Sequence, residues 1–218
     1  MANTKVFHQM RVDIILNATQ REIVVGTVLG DGSLIETFSK KNLRLQIEQC
    51  DAQKSYVFWK YEMLESLICT PPRYQEKKKS WRVRTISHPD ITEIGFHFYN
   101  GRKKVIPNDF ELFLTPLALA VWFMDDGSRD QVRGTYILNT QCFTKAEVER
   151  IRIALQIKFG LSPISIHKDK SGWRLYIQKP SSKRFETIVS PFILPVMEYK
   201  IGKPRRDYTS APAKPFAG

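Results

Sequence analysis

The sequence has few cysteines, few histidines and no long apolar run. It contains four His and only three Cys, at Cys50, Cys69 and Cys142, with no CxxC pair and no spacing typical of zinc ligands. This excludes a disulfide scaffold or a zinc finger, and so sparse and odd a set is typical of buried free thiols in a reducing, intracellular compartment. No segment approaches the roughly 18 uninterrupted apolar residues of a membrane span, and the N-terminus has no apolar signal core, so we expect no membrane partner.

Acidic residues are also few relative to basic ones. The 218 residues include 34 Lys and Arg against 22 Asp and Glu, for a formal net charge of +12. With 42% apolar residues, the chain is long and apolar enough to bury its own core. A folded domain this basic indicates a polyanion such as nucleic acid, although a merely soluble basic protein has the same charge.

The order of helices, strands and turns occurs twice. The matching landmarks are Asp31-Gly32-Ser33 with Asp126-Gly127-Ser128, Gln49-Cys50 with Gln141-Cys142, Trp81-Arg82 with Trp173-Arg174, and Lys104 with Lys200. Such self-similarity is typical of a duplicated structural unit. It predicts an α+β fold of two pseudo-symmetric αββαββα repeats, at 19–110 and 111–202, with an N-terminal lead-in at 1–18 and a Pro- and Lys-rich tail at 203–218.

Capping residues and periodicity place the elements. Thr19 with Glu22 forms a capping box, Thr115 precedes a proline at the first helical position, and Thr144 with Glu147 forms a second box. We expect helices at 23–29, 52–68, 91–99, 117–124, 145–159 and 181–189, and strands at 33–39, 43–50, 73–77, 81–86, 128–133, 135–142, 164–168 and 173–178. Residues 102–104 are predicted to be a basic connector.

The leading helix of each copy ends in a carboxylate, Asp31 in the first and Asp126 in the second. A helix C-terminus has partial negative charge and unpaired carbonyls, so it disfavours an acid and favours a cation. If the two helix ends meet about a pseudo-two-fold axis, the carboxylates repel unless Mg²⁺ lies between them, an arrangement suited to phosphodiester hydrolysis. One Asp-Gly is common turn chemistry, so the hypothesis rests on its recurrence at equivalent positions.

Polar and apolar side chains alternate along the predicted strands, and one face is rich in Arg and Gln. These groups suit guanine and adenine edges in the major groove, and lysines at the hairpin turns suit phosphates; a solvated sheet face also alternates in this way. The residues predicted to contact DNA are Arg44, Gln46, Glu48, Arg73, Gln75, Lys77, Arg82, Arg84, His167, Arg174, Tyr176 and Gln178.

Two segments resemble the LAGLIDADG motif of homing endonucleases. They are residues 24–32, with the sequence VVGTVLGDG, and residues 119–127, with the sequence LAVWFMDDG. The longer stretch 114–127, residues 137–144 and the pair Tyr199-Lys200 are similar to the single-chain, intron-encoded branch. The likeness covers about residues 20–202.

The resemblance implies a specific fold and activity. Each half would offer a curved antiparallel sheet as part of a DNA-binding saddle, with the motif helices packed at the centre. The implied activity is site-specific, double-strand cleavage of a long DNA target by a monomer. The implied cofactor is Mg²⁺, with Mn²⁺ as a substitute and Ca²⁺ as an ion that binds without supporting cleavage.

The resemblance also implies roles for individual residues. Asp31 and Asp126 would be catalytic and bind metal, helped by the backbone carbonyls of Gly30 and Asp125. The basic residues at matching positions that would tune the water and phosphate network are Lys104 and Lys200.

The second motif departs from the family pattern. Val121 and Trp122 stand where small residues are usual, so Ala118 and Ala120 are expected to supply the close helix contact. The side chain of Asp125 is expected to be a local hydrogen-bonding group rather than a third metal ligand.

Two other functions stay open. One is a maturase that binds its own intron RNA without cutting DNA, and the other is a transcriptional regulator that uses the same saddle. The resemblance implies a mitochondrion or chloroplast, with a bacterial cytoplasm as the alternative.

Overall fold

The structure is a computed structural model that describes residues 14–38 and 41–203. Most of the predicted lead-in, 1–18, and nearly all of the predicted tail, 203–218, therefore lie outside the described residues. Within the described ranges, no helix combines the length and the apolar character needed to cross a bilayer.

Two groups of elements follow one another in the same order. The first consists of α1 (Ala18–Leu29), β1 (Ser33–Glu36), β2 (Leu43–Cys50), α2 (Lys54–Met63), β3 (Arg73–Gln75), β4 (Ser80–Arg84) and α3 (Pro89–Phe98), followed by a short hairpin of β5 (Tyr99–Asn100) and β6 (Lys103–Lys104). The second consists of α4 (Pro116–Asp126), β7 (Gly127–Asp130), β8 (Thr135–Leu138), α5 (Lys145–Phe159), β9 (Ile164–Lys168), β10 (Trp173–Ile177) and α6 (Lys179–Val189), with a final 3-10 helix at Pro195–Ile201.

Each group contains one four-stranded antiparallel sheet with the same connectivity. The strand order is β1-β2-β4-β3 in the first sheet and β7-β8-β10-β9 in the second. The predicted α+β fold of two αββαββα repeats is confirmed. The exact domain boundaries stay a prediction.

Two of the three predicted helix caps are present. Thr115 caps α4 by accepting a hydrogen bond from the Ala118 amide at 3.1 Å, and Thr144 caps α5 in a capping box with Glu147, so both predictions are confirmed. The predicted box at Thr19 is wrong. Asn17 caps α1 instead, accepting from the Gln20 amide at 2.9 Å, because an asparagine two residues earlier provides a strong N-cap.

Tertiary contacts change several other boundaries. The helix predicted at 52–68 is restricted to Lys54–Met63, with 3-10 turns on both sides, and the connector predicted at 102–104 belongs to the β5–β6 hairpin. Strand β8, predicted at 135–142, ends at Leu138, and both nitrogens of the next residue, Asn139, donate to the carbonyl of Asp126. The three cysteines are free but exposed, so the expectation that they are buried is wrong.

Helices α1 and α4 pack against each other at the centre of the molecule. A Cβ added to Gly26 would lie 2.5 Å from the Ala118 carbonyl oxygen and 2.7 Å from Cβ of Val121, and a Cβ added to Gly30 would lie 2.4 Å from Cβ of Asp125. Gly26 and Gly30 thus meet their repeat equivalents, Val121 and Asp125, as residues near a two-fold axis do. The contact of Ala118 is confirmed, but the substitution of Ala120 for Val121 is wrong because Val121 itself faces Gly26.

This packing predicts that Gly26→Ala destabilises the protein, although alanine favours helix formation. The new methyl group would overlap the Ala118 carbonyl, and overpacking of this kind costs about 1–3 kcal/mol. We expect a lower free energy of unfolding in denaturant titrations of Gly26→Ala, and no comparable change for Lys183→Ala on the exposed face of α6. Equal stability of Gly26→Ala and wild type would contradict the close helix contact.

Candidate active site

The ends of the two central helices bring three carboxylates together. Gly30 is the C-cap of α1 and Asp31 follows it, while Asp126 is the last residue of α4. Asp31 is exposed, Asp126 is half-buried and Asp125 is buried. The two Asp residues singled out by the repeat therefore lie at the same end of one helix pair, as expected for a site on the pseudo-symmetry axis.

The two predicted lysines contact these helix ends in equivalent ways. Lys104 Nζ, on β6, donates to the Gly30 carbonyl at 2.6 Å. Lys200 Nζ, in the final 3-10 helix, donates to the Asp125 carbonyl at 2.9 Å. Cations at helix C-termini offset the partial negative charge of the last carbonyls. Burial lowers the pKa of both amines, although the nearby aspartates oppose this change.

The electrostatics around Asp126 favour a bound cation. Burial, followed by repulsion from Asp31 and Asp125, raises the pKa of Asp126 to about 7, while Lys104 and Lys200 act in the opposite direction. The two ammonium groups thus lower the pKa of Asp126 by less than burial and the neighbouring carboxylates raise it. A divalent cation beside Asp126 would stabilise its charged form.

The donor atoms fit Mg²⁺ rather than a softer metal. Mg²⁺ takes oxygen ligands and is commonly held by one or two carboxylates together with substrate phosphates, which matches Asp31 and Asp126. Among the residues that the structure describes, no group of three or more His, Cys, Asp or Glu side chains could hold a metal. The carbonyls of Gly30 and Asp125 accept from lysines, and each oxygen has a second lone pair; their role as ligands stays a prediction.

Two residues that the sequence did not single out for a role complete the site. Gln49 Nε2 donates to Asp31 Oδ2 at 2.9 Å and to Asp125 Oδ1 at 3.2 Å. Lys60 Nζ contacts both carboxylate oxygens of Asp125, at 2.8 and 2.9 Å. The side chain of Asp125 thus forms hydrogen bonds, as expected, but its partners lie 76 and 65 residues away in sequence, so the expectation that they are local is wrong.

A sequence signal for Lys60 was present. It lies four residues after Tyr56, within the apolar face of α2, where a lysine is rare unless it is paired. Gln49 appeared only as a repeat landmark. Its counterpart Gln141 donates to Asn139 at 3.5 Å, so the two halves of the site are not equivalent.

The predicted DNA-contacting residues of the first half share one sheet face. Gln46 lies opposite Arg84, and Glu48 lies opposite Arg82. Arg84 Nε donates to Gln46 Oε1 at 2.7 Å, and Arg82 Nε donates to Glu48 Oε2 at 3.0 Å. Glu48 also accepts from Ser80 at 2.7 Å. The Glu48 carboxylate thus accepts hydrogen bonds from neighbouring side chains, and contact of Glu48 with DNA stays a prediction.

A surface groove runs along this face. The predicted residues that line it are Arg44, Arg73, Gln75, Arg82 and Arg84. Lys77 lies outside the groove and is exposed on the turn between β3 and β4. The first sheet thus presents a basic concave surface.

The second sheet brings together the other predicted residues. Arg174 lies opposite His167, and the rings of His167 and Tyr176 are 5.0 Å apart. Arg174 Nε is 2.9 Å from a carboxylate oxygen of Asp169, and Gln178 donates to Ser165. This face is polar but has fewer arginines than the first.

The raised pKa of Asp126 predicts a pH-dependent gain of stability in metal-free Asp126→Asn. A carboxyl group whose pKa rises on folding, from 3.8 to about 7, makes folding less favourable as pH increases through that interval. The melting temperature of Asp126→Asn relative to wild type, measured in EDTA, should therefore rise between about pH 4 and pH 7 and level off above. A difference that stays constant with pH would contradict the burial of this charge.

Comparisons with known proteins agree with the geometry. The model of the LAGLIDADG DNA endonuclease family matches residues 21–185. The chain is 33% identical over 199 residues to the probable intron-encoded endonuclease 1 of Wickerhamomyces canadensis, covering 85% of each chain. It is 29% identical over 199 residues to the cytochrome b mRNA maturase bI2 of Debaryomyces hansenii, covering 86% of this chain and 75% of that one.

A solved structure shows the same architecture. The homing endonuclease I-WcaI bound to its DNA recognition sequence superposes with a TM-score of 0.83 at 30% identity, covering 92% of this chain and 94% of that chain. The family match spans most of the sequence and includes both Asp31 and Asp126. The chain belongs to the LAGLIDADG DNA endonuclease family.

Proposed function

We propose that the protein is a site-specific DNA endonuclease that cuts both strands of a long target by metal-dependent phosphodiester hydrolysis, acting as a monomer. The observation that carries the proposal is the pair of helix-end carboxylates, Asp31 and Asp126, each preceded by a carbonyl that binds a lysine. Support comes from the probable endonuclease and from the DNA-bound homing endonuclease that the chain resembles.

Asp31 and Asp126 would hold Mg²⁺. We expect Mn²⁺ to substitute and Ca²⁺ to bind without supporting cleavage. The metal would supply an activated water and stabilise the leaving 3′ oxygen. Lys104 and Lys200 would offset the negative charge that develops on the phosphate, since their hydrogen bonds fix each ammonium group beside an aspartate.

The two sheets would form the DNA-binding saddle. The net charge of +12 favours contact with many phosphates, which also makes binding sensitive to salt. Sequence recognition would come from the polar sheet faces, since base edges in the major groove present distinct donor and acceptor patterns. We place the activity in an intracellular compartment, with an organelle as the favoured one.

A second candidate is an intron maturase. The similarity to a cytochrome b mRNA maturase over most of both chains favours it. Both functions are compatible with one fold, because function resides in sites rather than in architecture. Intron RNA would be the partner in that case, and cleavage separates the two candidates.

The test of the endonuclease proposal is strand cleavage selected from a randomised DNA library. Wild type with Mg²⁺ should yield double-strand cuts at one long sequence, and EDTA should prevent them. Asp31→Asn and Asp126→Asn should each lower the single-turnover rate by at least about a thousandfold, since metal stabilisation of the transition state is worth several kcal/mol. DNA affinity should be retained.

Cleavage in the library experiment also distinguishes the endonuclease from the maturase. Tight binding of intron RNA, measured separately, with no cleavage of any DNA in Mg²⁺ or Mn²⁺, would favour that candidate. Full cleavage by either Asn variant would remove that aspartate from the site.

Arg82 and Arg84 have a geometry suited to guanine. Each is tethered through Nε to the residue opposite it, whereas a bidentate contact to O6 and N7 of guanine can use the two terminal nitrogens. The tether restricts the guanidinium before DNA binds, which lowers the entropic cost of the contact.

Arg84→Ala should therefore relax the base preference at one position of the target by about 1–3 kcal/mol. Lys77→Ala, which removes an exposed lysine at a hairpin turn, should weaken binding to all sequences equally. Competition binding against single-base-pair variants of the target measures both effects. An unchanged base preference in Arg84→Ala would exclude a base contact by this residue.

A further inference from the structure

The proposed reaction makes no use of a buried ion pair beside the site. The side chains of Lys60 and Asp125 are 2.8 Å apart, and both are 0% exposed. Lys60 Nζ also lies 4.4 Å from the ring centroid of Tyr56, whose hydroxyl donates to the Val121 carbonyl at 3.2 Å. The pair thus joins α2 of the first half to α4 of the second.

Stability is a weak explanation for such a pair. Removing two charges from water is unfavourable, and apolar residues of similar volume often serve a buried position equally well or better. Buried ionic groups instead serve, in well-attested cases, to fix one structural arrangement among several alternatives. This pair is therefore expected to fix the position of a neighbouring group.

The geometry identifies that group as Gln49. Its Nε2 donates to both Asp31 Oδ2 and Asp125 Oδ1, and Lys60 donates to the same Asp125 oxygen. With both N–H groups directed at carboxylates, the side-chain amide has one orientation. Lys60 thus donates to the Asp125 carboxylate, the same carboxylate accepts from Gln49, and Gln49 also donates to Asp31.

We propose that Lys60 and Asp125 are positioning residues that orient the Asp31 carboxylate through Gln49, so that a residue of the second motif controls the active-site half built by the first. The inference rests on the proposed nuclease function. It assigns roles to a lysine on α2 and to the side chain of Asp125, neither of which the proposed reaction uses.

The hydrogen-bond network of Lys60, Asp125 and Gln49 differs between the two halves of the site. Gly30 stands where the second copy has Asp125, and the repeat landmarks align Lys60 with Arg152, which is half-buried and donates to Glu149 and Gln156. Asp126 is instead approached by Asn139, which donates to its backbone carbonyl at 2.7 Å. Loss of the network should therefore affect the cutting of one DNA strand more than that of the other.

The test variant is Lys60→Met/Asp125→Leu. It removes both charges and one of the two acceptors of Gln49, the Asp125 carboxylate, while retaining side chains of similar shape. Either single change would instead leave an unpaired buried charge and impair folding. The backbone carbonyl of Asp125 still accepts from Lys200. The matched control is Arg21→Met/Glu93→Leu, which removes an exposed ion pair between α1 and α3 whose N–O distance is 2.9 Å.

The first measurement is the single-turnover rate of each strand, with the two strands labelled differently. We expect the test variant to bind target DNA as wild type does, but to cut one strand about tenfold more slowly while the other changes by less than about twofold, since one charge-assisted hydrogen bond is lost. Gln49→Ala should slow the same strand. Combining Gln49→Ala with the test variant should slow cleavage of this strand by less than the product of the two separate fold-changes.

The second measurement needs no cleavage. Hydrogen exchange of the Gln49 side-chain amide, followed by NMR, should be faster in the test variant than in wild type or the control variant. If wild type cuts no DNA, the proposed function fails and this measurement alone decides the positioning role. Unchanged amide exchange, equal slowing of both strands, or a loss of DNA affinity would each overturn the inference.

Discussion

The close packing of α1 against α4 is the constraint on which the site depends. Because Gly26 and Gly30 have no side chains, the two helices approach until Gly30 contacts Asp125. That approach places two helix C-termini and their carboxylates at one end of the pair, although partial negative charges and acidic groups repel one another. The lysines and the contacts of Asp125 reduce the effect of this repulsion.

The two lysines that contact the helix ends come from elements outside the α1–α4 pair. Lys104 comes from a hairpin after α3, and Lys200 comes from the 3-10 helix that follows α6, yet both donate to the carbonyl before a motif aspartate. Their similar contacts preserve the pseudo-symmetry of the backbone. Burial and the neighbouring carboxylates raise the pKa of Asp126 to about 7 in spite of these lysines, so a divalent cation beside this carboxylate would stabilise its charged form.

The carboxylate of Asp125 breaks this symmetry. In the first copy its position is occupied by a glycine, which leaves room for Asp125 to enter and to meet Lys60 and Gln49. A duplicated fold thus acquires two unequal half-sites through one side chain. The two halves of a single chain can diverge in this way because each has its own sequence.

The sequence alone determined the repeat, the strand alternation, the helix caps at Thr115 and Thr144 and the two helix-end aspartates, because these depend on local chemistry and on spacing along the chain. It did not determine the partners of Asp125, the burial of Lys60 or the bridging amide of Gln49. Those contacts join residues that are 65 and 76 positions apart, and a buried lysine is acceptable only where a distant carboxylate meets it. Only the tertiary structure, through the approach of α1 and α4, decided which charges meet.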